Sequence, residues 1–254
     1  MKTYLGDRLY ISTIDRKAHQ LAEKYGLGLE IADFCVGSNL DDDFEPYGRE
    51  GLEKIKLGLP MVFHFPFAEL SPCAIDPKIR EVVLYRHRQA LHFALQNGIN
   101  RLVVHGGYVP LVYFPQWFVA ESIKYWKSFM ESEQGEFTIY LENVMDDDCC
   151  MLKEIVRQVD DPRLRLCLDV GHSNCISPQS IEEWVVLMGE DIGHVHIHNN
   201  DGGYDQHRPL DEGTLQMEKV LDLLIERVPD CSFTIECMDA ESSVLWLKDR
   251  GYLG

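Results

Sequence analysis

The sequence predicts a parallel (β/α)8 barrel that occupies residues 1–254 as one domain. Three observations lead to this fold. Eight short apolar runs recur along the chain, helical patterns fill the intervals between them, and six runs end in a side chain able to hold a metal ion: His64, His105, Glu142, Asp169, His196 and Glu236. Repeated alternation of this kind implies right-handed parallel crossovers. A barrel gathers its strand ends onto one rim, where residues distant in sequence become neighbours. An open doubly wound sheet is the alternative arrangement.

The elements follow in order. Strand-like runs cover residues 9–13, 28–34, 61–65, 101–105, 137–142, 164–169, 192–198 and 232–237. Several are almost continuously apolar, as parallel strands covered on both faces should be. Helical patterns cover residues 15–25, 76–97, 115–131, 147–159, 178–188 and 214–227, with shorter ones after Tyr47 and after Asp239. The clearest is 76–97: Pro77 suits its first turn, Val82, Tyr85, Leu91 and Leu95 supply an apolar stripe, and Gly98 suits its stop. The adjacent Cys149 and Cys150 suit a helix start, and Asp41-Asp42-Asp43 reads as a solvated loop near the rim. No linker or low-complexity tract interrupts the pattern.

Composition narrows the partners. With 42 acidic against 24 basic residues, the formal charge of -18 repels phosphate backbones and anionic membranes, so broad nucleic-acid binding is disfavoured. The first residues turn polar too early for a secretory signal, and no apolar stretch approaches the roughly 20 residues that span a bilayer. A cytoplasmic protein is expected. The 8 cysteines contain no Cys-x-x-Cys pair, and Cys35, Cys167 and Cys237 fall in apolar runs, so buried thiols are expected in place of disulfides.

The chemistry concentrates at the run ends. His64 and His105 each stand where a strand yields to a loop; Gly106 and Gly107 permit backbone close to a ligand, and Phe65, Phe67 and Tyr108 offer an apolar wall for substrate. Glu142 and Glu236 end apolar runs, where a carboxylate incurs a large desolvation cost unless a cation or donors meet it. In Asp169-Val170-Gly171-His172, the glycine allows a tight turn that returns the imidazole to the carboxylate. Period-two alternation puts His194, His196 and His198 on one face of a strand. His194 is expected deep and structural, His196 a direct ligand, and His198 a ligand, a substrate contact or a support for a ligand. Downstream, Asp205 and His207 project from a long loop that extends to Gly213.

These residues resemble the xylose-isomerase-like barrel superfamily, which includes sugar isomerases, ketose 3-epimerases and endonuclease-IV-type phosphodiesterases. The segments that carry the resemblance are 141–143, 168–172, 196–213 and 235–236. By resemblance, Glu142, Asp169, His196 and Glu236 match a single divalent-metal site in which the two glutamates exchange substrate protons and His172 contacts substrate. The endonuclease-IV-like branch instead uses three zinc ions, and His64, His105, Glu142, Asp169, His172, His196, Asp205, His207 and Glu236 match its nine ligand types. Epimerases usually carry an arginine soon after the metal histidine, where this chain has Gly202 and Gly203.

The expectation is an enzyme that isomerises or epimerises a small sugar, sugar phosphate or polyol through a metal-stabilised enediolate, with Glu142, Glu236 and His172 catalytic. One divalent ion (Mn, Zn, Mg or Co) is favoured, and the ligand set extends to three. The expected substrate contacts are His64, His105, His198, Phe65 and Tyr108. A multinuclear zinc phosphoesterase and a non-catalytic sugar- or metal-binding barrel are the alternatives. The sequence leaves the oligomeric state open, a homo-oligomer included.

Overall fold

Eight parallel strands pair in chain order and close on themselves, β8 against β1, in a computed structural model that describes residues 4–41 and 46–254. They are β1 (Leu9–Ser12), β2 (Gly28–Ile31), β3 (Met61–His64), β4 (Arg101–His105), β5 (Thr138–Glu142), β6 (Leu164–Asp169), β7 (Ile192–Ile197) and β8 (Ser232–Ile235). Each lies within an expected run. Several stop short of the run's end because the final residues leave the ladder to enter the loops of the rim.

The surrounding helices are α1 (Ala18–Tyr25), α2 (Pro46–Ile55), α3 (Pro77–Gln96), α4 (Pro115–Ser132), α5 (Cys150–Val159), α6 (Val170–Ile176), α7 (Ile181–Met188), α8 (Met217–Arg227) and α9 (Ala240–Asp249). In α3, Asp76 caps the N-terminus by accepting from the Lys78 N–H at 2.8 Å, and Pro77 occupies the first turn. The chain leaves that helix through Gly98, whose φ of 76° is left-handed. Its buried face differs from the expected stripe: Val83, His87, Ala90, Leu91 and Ala94 point inward, while Val82 and Tyr85 are exposed. The reason is His87. Its ring stacks on Trp126 and its Nδ1 shares a hydrogen bond with the Tyr125 hydroxyl at 2.8 Å, so a polar residue anchors a face that an apolar-only pattern assigns elsewhere.

Alternation divides each strand between two environments. Ile11, Leu29, Phe63, Val104, Leu141, Leu168, Ile197 and Ile235 face outward and join the helices in the main core. Tyr10, Val62, Val103, Tyr140 and Cys167 face into the barrel as a separate apolar cluster. Two residues further along five of the strands, on the same inward face, come Ser12, His64, His105, Glu142 and Asp169. The barrel is therefore apolar at mid-depth and polar where its strands end, which is where a site belongs.

Asp41 forms a two-pronged ion pair with Arg86, while Asp42 and Asp43 lie outside the described residues. All eight cysteines are free thiols. Among the described residues, no helix is long and apolar enough to cross a membrane.

Candidate metal centre

Register brings the strand ends together. His105 pairs with Glu142 across β4 and β5, and Asp169 with His196 across β6 and β7. The ligand-type atoms then fall into five overlapping groups, two that include the deeper Glu30 and three that adjoin along the rim. In the first, His64 Nε2 and His105 Nε2 lie 3.3 and 3.5 Å from Glu142 Oε2. In the second, His196 Nδ1 lies 3.1 Å from Glu142 Oε1, 3.5 Å from Asp169 Oδ2 and 3.0 Å from Glu236 Oε2. In the third, which also contains His198, His172 Nε2 and His207 Nε2 lie 3.3 and 3.0 Å from Asp205 Oδ2. Glu142 bridges the first two, with one oxygen toward each.

Four observations show that these residues fit metal ions. Ligand bonds of about 2.0–2.2 Å in a tetrahedral shell put donor atoms roughly 3.3 Å apart, the separation that recurs here. Glu236 Oε2 and Asp205 Oδ1 are buried with no hydrogen-bond donor, a costly state that a cation relieves. Among the described residues, no Lys or Arg is paired with Glu142, Asp169, Asp205 or Glu236. Lastly, the imidazoles are already oriented. His64 Nδ1–H donates to the Phe65 carbonyl at 3.0 Å, His172 Nδ1–H to the Asn143 carbonyl at 3.0 Å, and His207 Nδ1–H to the Glu236 carbonyl at 2.7 Å. A carbonyl oxygen only accepts, so each ring keeps a hydrogen on Nδ1 and aims Nε2 at a carboxylate of the rim, the nitrogen that a metal would take in place of that contact.

The same contacts set the charges: burial lowers His64, His172 and His196, but neighbouring carboxylate and thiol groups overcome it and hold them well above the ordinary imidazole value. Burial raises the Glu142 carboxyl, but His196, His105 and His172 outweigh it and hold the group well below its ordinary value. Burial likewise opposes ionisation of Asp169 and Asp205, and their histidine neighbours overcome it. His207 is pushed up to about 9, because Asp205 and Glu236 outweigh the cost of its burial. His105 is pushed down to about 3 by burial, which keeps its imidazole neutral, as a ligand must be.

Other residues fall where the sequence did not put them. Phe65 does not line the site: alternation after His64 turns it outward, against Phe63 and His87 in the main core. Tyr108 packs on Phe118 in that core. The aromatic at the rim is Phe67, stacked on His105 with ring centroids 3.9 Å apart. His198 Nε2 lies 3.0 and 3.2 Å from the two oxygens of Asp169, and its ring stacks on His207 at 4.1 Å. It thus supports Asp169 and stands 3.8 Å from Asp205 Oδ1. Gly171 makes no tight turn. It sits inside α6, capped by Asp169 through the His172 N–H at 2.7 Å, and a Cβ there would fall 2.0 Å from His198 Cε1. Close approach to His198 is what requires glycine.

Sequence reasoning missed Glu30. This fully buried carboxylate projects from β2 beneath the rim, with Oε2 3.1 Å from His194 Nε2 and Oε1 3.0 Å from His196 Nε2. A lone acid inside the apolar run 27–31 was the available signal, the same one that marked Glu142.

A family model described as the xylose isomerase-like TIM barrel matches residues 16–250. The chain belongs to this family. Its sequence is 28% identical over 194 residues to the uncharacterised protein MJ1311 of Methanocaldococcus jannaschii, a stretch covering 72% of this chain and 66% of that protein. The match thus spans slightly under two thirds of that relative's length.

Solved structures share the fold. A D-tagatose 3-epimerase-like protein superposes with a TM-score of 0.76 at 24% identity, covering 96% of this chain and 95% of the other. The TTHB071 protein of Thermus thermophilus, soaked with zinc chloride, gives 0.73 at 20% identity, covering 96% and 98%. Endonuclease IV of Thermus thermophilus gives 0.61 at 18% identity, covering 95% and 99%.

Proposed function

We propose that this chain is a metal-dependent phosphoesterase whose rim holds three divalent ions, zinc by the nature of its ligands, and acts on a phosphate ester of a small polyol or sugar. The observation that carries this reading is the gathering of ten side chains, His198 included, into three adjoining ligand groups at the rim with Glu142 shared between two. A single-ion isomerase needs only the second group. It gives no reason for His64, His172 and His207 to be oriented through Nδ1 so that Nε2 meets a rim carboxylate.

Divalent ions supply Lewis-acid neutralisation of a scissile phosphate and lower the pKa of a bound water. The chain's own residues set the charge. Glu142, Asp169, Asp205 and Glu236 outweigh one divalent ion but not three, so only the fully loaded rim attracts a phosphate anion. His105, Asp205 and His207 are partly exposed while Asp169 and His196 are fully buried, so substrate reaches the first and third groups from solvent and the second from between them. The excess of acidic side chains, 42 against 24 basic, selects a small ester over a polyanionic nucleic acid.

Metal content and turnover test the reading together. Protein purified without chelator should carry three ions and hydrolyse bis(p-nitrophenyl) phosphate or p-nitrophenyl phosphate, with both properties lost on dialysis against EDTA. One ion per chain with no hydrolysis refutes it.

A second reading, isomerisation or epimerisation of a sugar or sugar phosphate, rests on a different observation. Glu142 Oε1 and Glu236 Oε2 flank His196 Nδ1 at 3.1 and 3.0 Å, two carboxylates beside one ligand that are suited to remove and return a proton. Deuterium incorporation from solvent into a ketose, abolished in Glu142→Gln and in Glu236→Gln, supports that reading. Retained exchange in both variants sinks it.

A further inference from the structure

We infer that Glu30 is a positioning residue that fixes which nitrogen of His196 faces the metal centre. This inference rests on His196 being a ligand, as the proposed function holds. Three of the other rim histidines present Nε2 and donate Nδ1–H to a strand-end carbonyl. His196 is reversed: Nδ1 faces Glu142 and Glu236 at 3.1 and 3.0 Å, and Nε2 points down the barrel. No backbone carbonyl accepts from it there. Its Nε2 and Glu30 Oε1 lie 3.0 Å apart without hydrogen-bond geometry, and the hydrogen bond of the ring is the one between Nδ1 and Glu142 Oε1 at 3.1 Å.

The carboxylate is itself held in place. Glu30 Oε2 accepts from the Thr234 hydroxyl and lies 3.1 Å from His194 Nε2, and His194 Nδ1 meets Ser232 Oγ at 2.6 Å. Glu30, His194, Ser232 and Thr234 are all fully or almost fully buried. An acid this deep costs several kcal/mol of desolvation unless donors surround it. Here they do, and the group they stabilise has one free oxygen, aimed at His196. Where an ion takes the place of the hydrogen bond between Nδ1 and Glu142, Glu30 Oε1 is the acceptor nearest Nε2, so it holds the ring's hydrogen there and leaves the Nδ1 lone pair for the ion shared by Glu142, Asp169 and Glu236. A carboxylate partner also makes the imidazole a stronger donor to metal. The three buried residues Glu30, His194 and His196 therefore form a support beneath the metal centre and not a further ion site.

Cadmium binding tests this without any assay of activity. In protein loaded with 113Cd and labelled with 15N, coupling from the ion should appear at His196 Nδ1, with the Nε2 proton retained. Glu30→Gln keeps the shape but can accept at only one atom, and it should weaken cadmium at the second group by about 10–100-fold, measured by chelator competition. Coupling at Nε2, or undiminished affinity in Glu30→Gln with wild-type coupling at Nδ1, would overturn the assignment. If Glu30→Gln does not fold, the coupling pattern of the wild-type protein decides alone. Absence of cadmium binding by the wild-type chain would overturn this inference and the proposed function together, whereas normal binding with an unaffected Glu30→Gln sinks only the former.

Discussion

Replacing Gly171 by alanine puts a methyl group inside the His198 ring. The new Cβ would lie 2.0 Å from Cε1 and 2.4 Å from both ring nitrogens, against an ordinary contact of at least 3.4 Å. The ring must therefore retreat by about 1.4 Å. It has nowhere to go at constant contacts, because it stacks on His207 at 4.1 Å and its Nε2 is 3.0 Å from Asp169. Overpacking costs about 1–3 kcal/mol, and losing a hydrogen bond to a buried carboxylate costs about 1.5–3 kcal/mol more. Alanine returns about 1 kcal/mol of helix propensity within α6. The net loss of about 2–5 kcal/mol lowers Tm by roughly 5–15 °C for a chain of this size.

Thermal unfolding followed by circular dichroism measures that loss, with Gly26→Ala as the control. Gly26 has a left-handed φ of 67° and nothing within 4 Å of its added Cβ, so that variant carries backbone strain alone. Gly171→Ala should also lose the ion at the third group, where His198 and His207 meet Asp205. A Tm drop no larger than that of Gly26→Ala, with zinc stoichiometry unchanged, would refute the packing argument.

Three further outcomes follow from single residues. Burial pushes His87 down to about 3, so its folded form binds fewer protons than its unfolded form, and stability is lost as pH falls from about 6.5 toward that value. His87→Phe should therefore gain about 2 kcal/mol relative to wild type between pH 7 and pH 5 in urea melts; a pH-independent difference contradicts this. Asp146 behaves oppositely: burial raises it to about 7, so the stability from its protonated form is present at low pH and lost as pH rises from about 4 to 7. Asp146→Asn should be more stable than wild type by up to about 4 kcal/mol at pH 8 and near equal at pH 4, and the reverse ordering would remove the desolvation account. Finally, Glu142→Gln should reduce bound zinc from three ions to one, since one carboxylate serves two groups while the third lacks it; loss of a single ion would show that Glu142 does not bridge.

The barrel was legible because its signals are local. Each strand is an apolar run, each helix has a period, and Pro77 and Gly98 punctuate α3 as their backbone preferences require. The rim was legible too, since a charged or imidazole side chain closing an apolar run is costly to bury unless a partner meets it there. What stayed hidden was relational. Phe65 could have been turned outward from alternation alone, given His64 inward, but loop aromatics such as Phe67 obey no period. Gly171 looked like a turn residue because its contact, His198, lies 27 positions away, just past the end of β7. Glu30 and His87 were passed over because each is a polar residue inside an apolar pattern whose partners are supplied only by the closed barrel or a neighbouring helix.

The central claim is that the strand ends build three metal sites and not one. Anomalous scattering at the zinc edge from crystals of the purified chain tests it most directly. Three peaks are predicted: one among His64, His105 and Glu142, one among Glu142, Asp169, His196 and Glu236, and one among His172, Asp205 and His207. A single peak at the second group, with the other two empty at saturating zinc, would contradict the account and leave the sugar isomerase reading in its place.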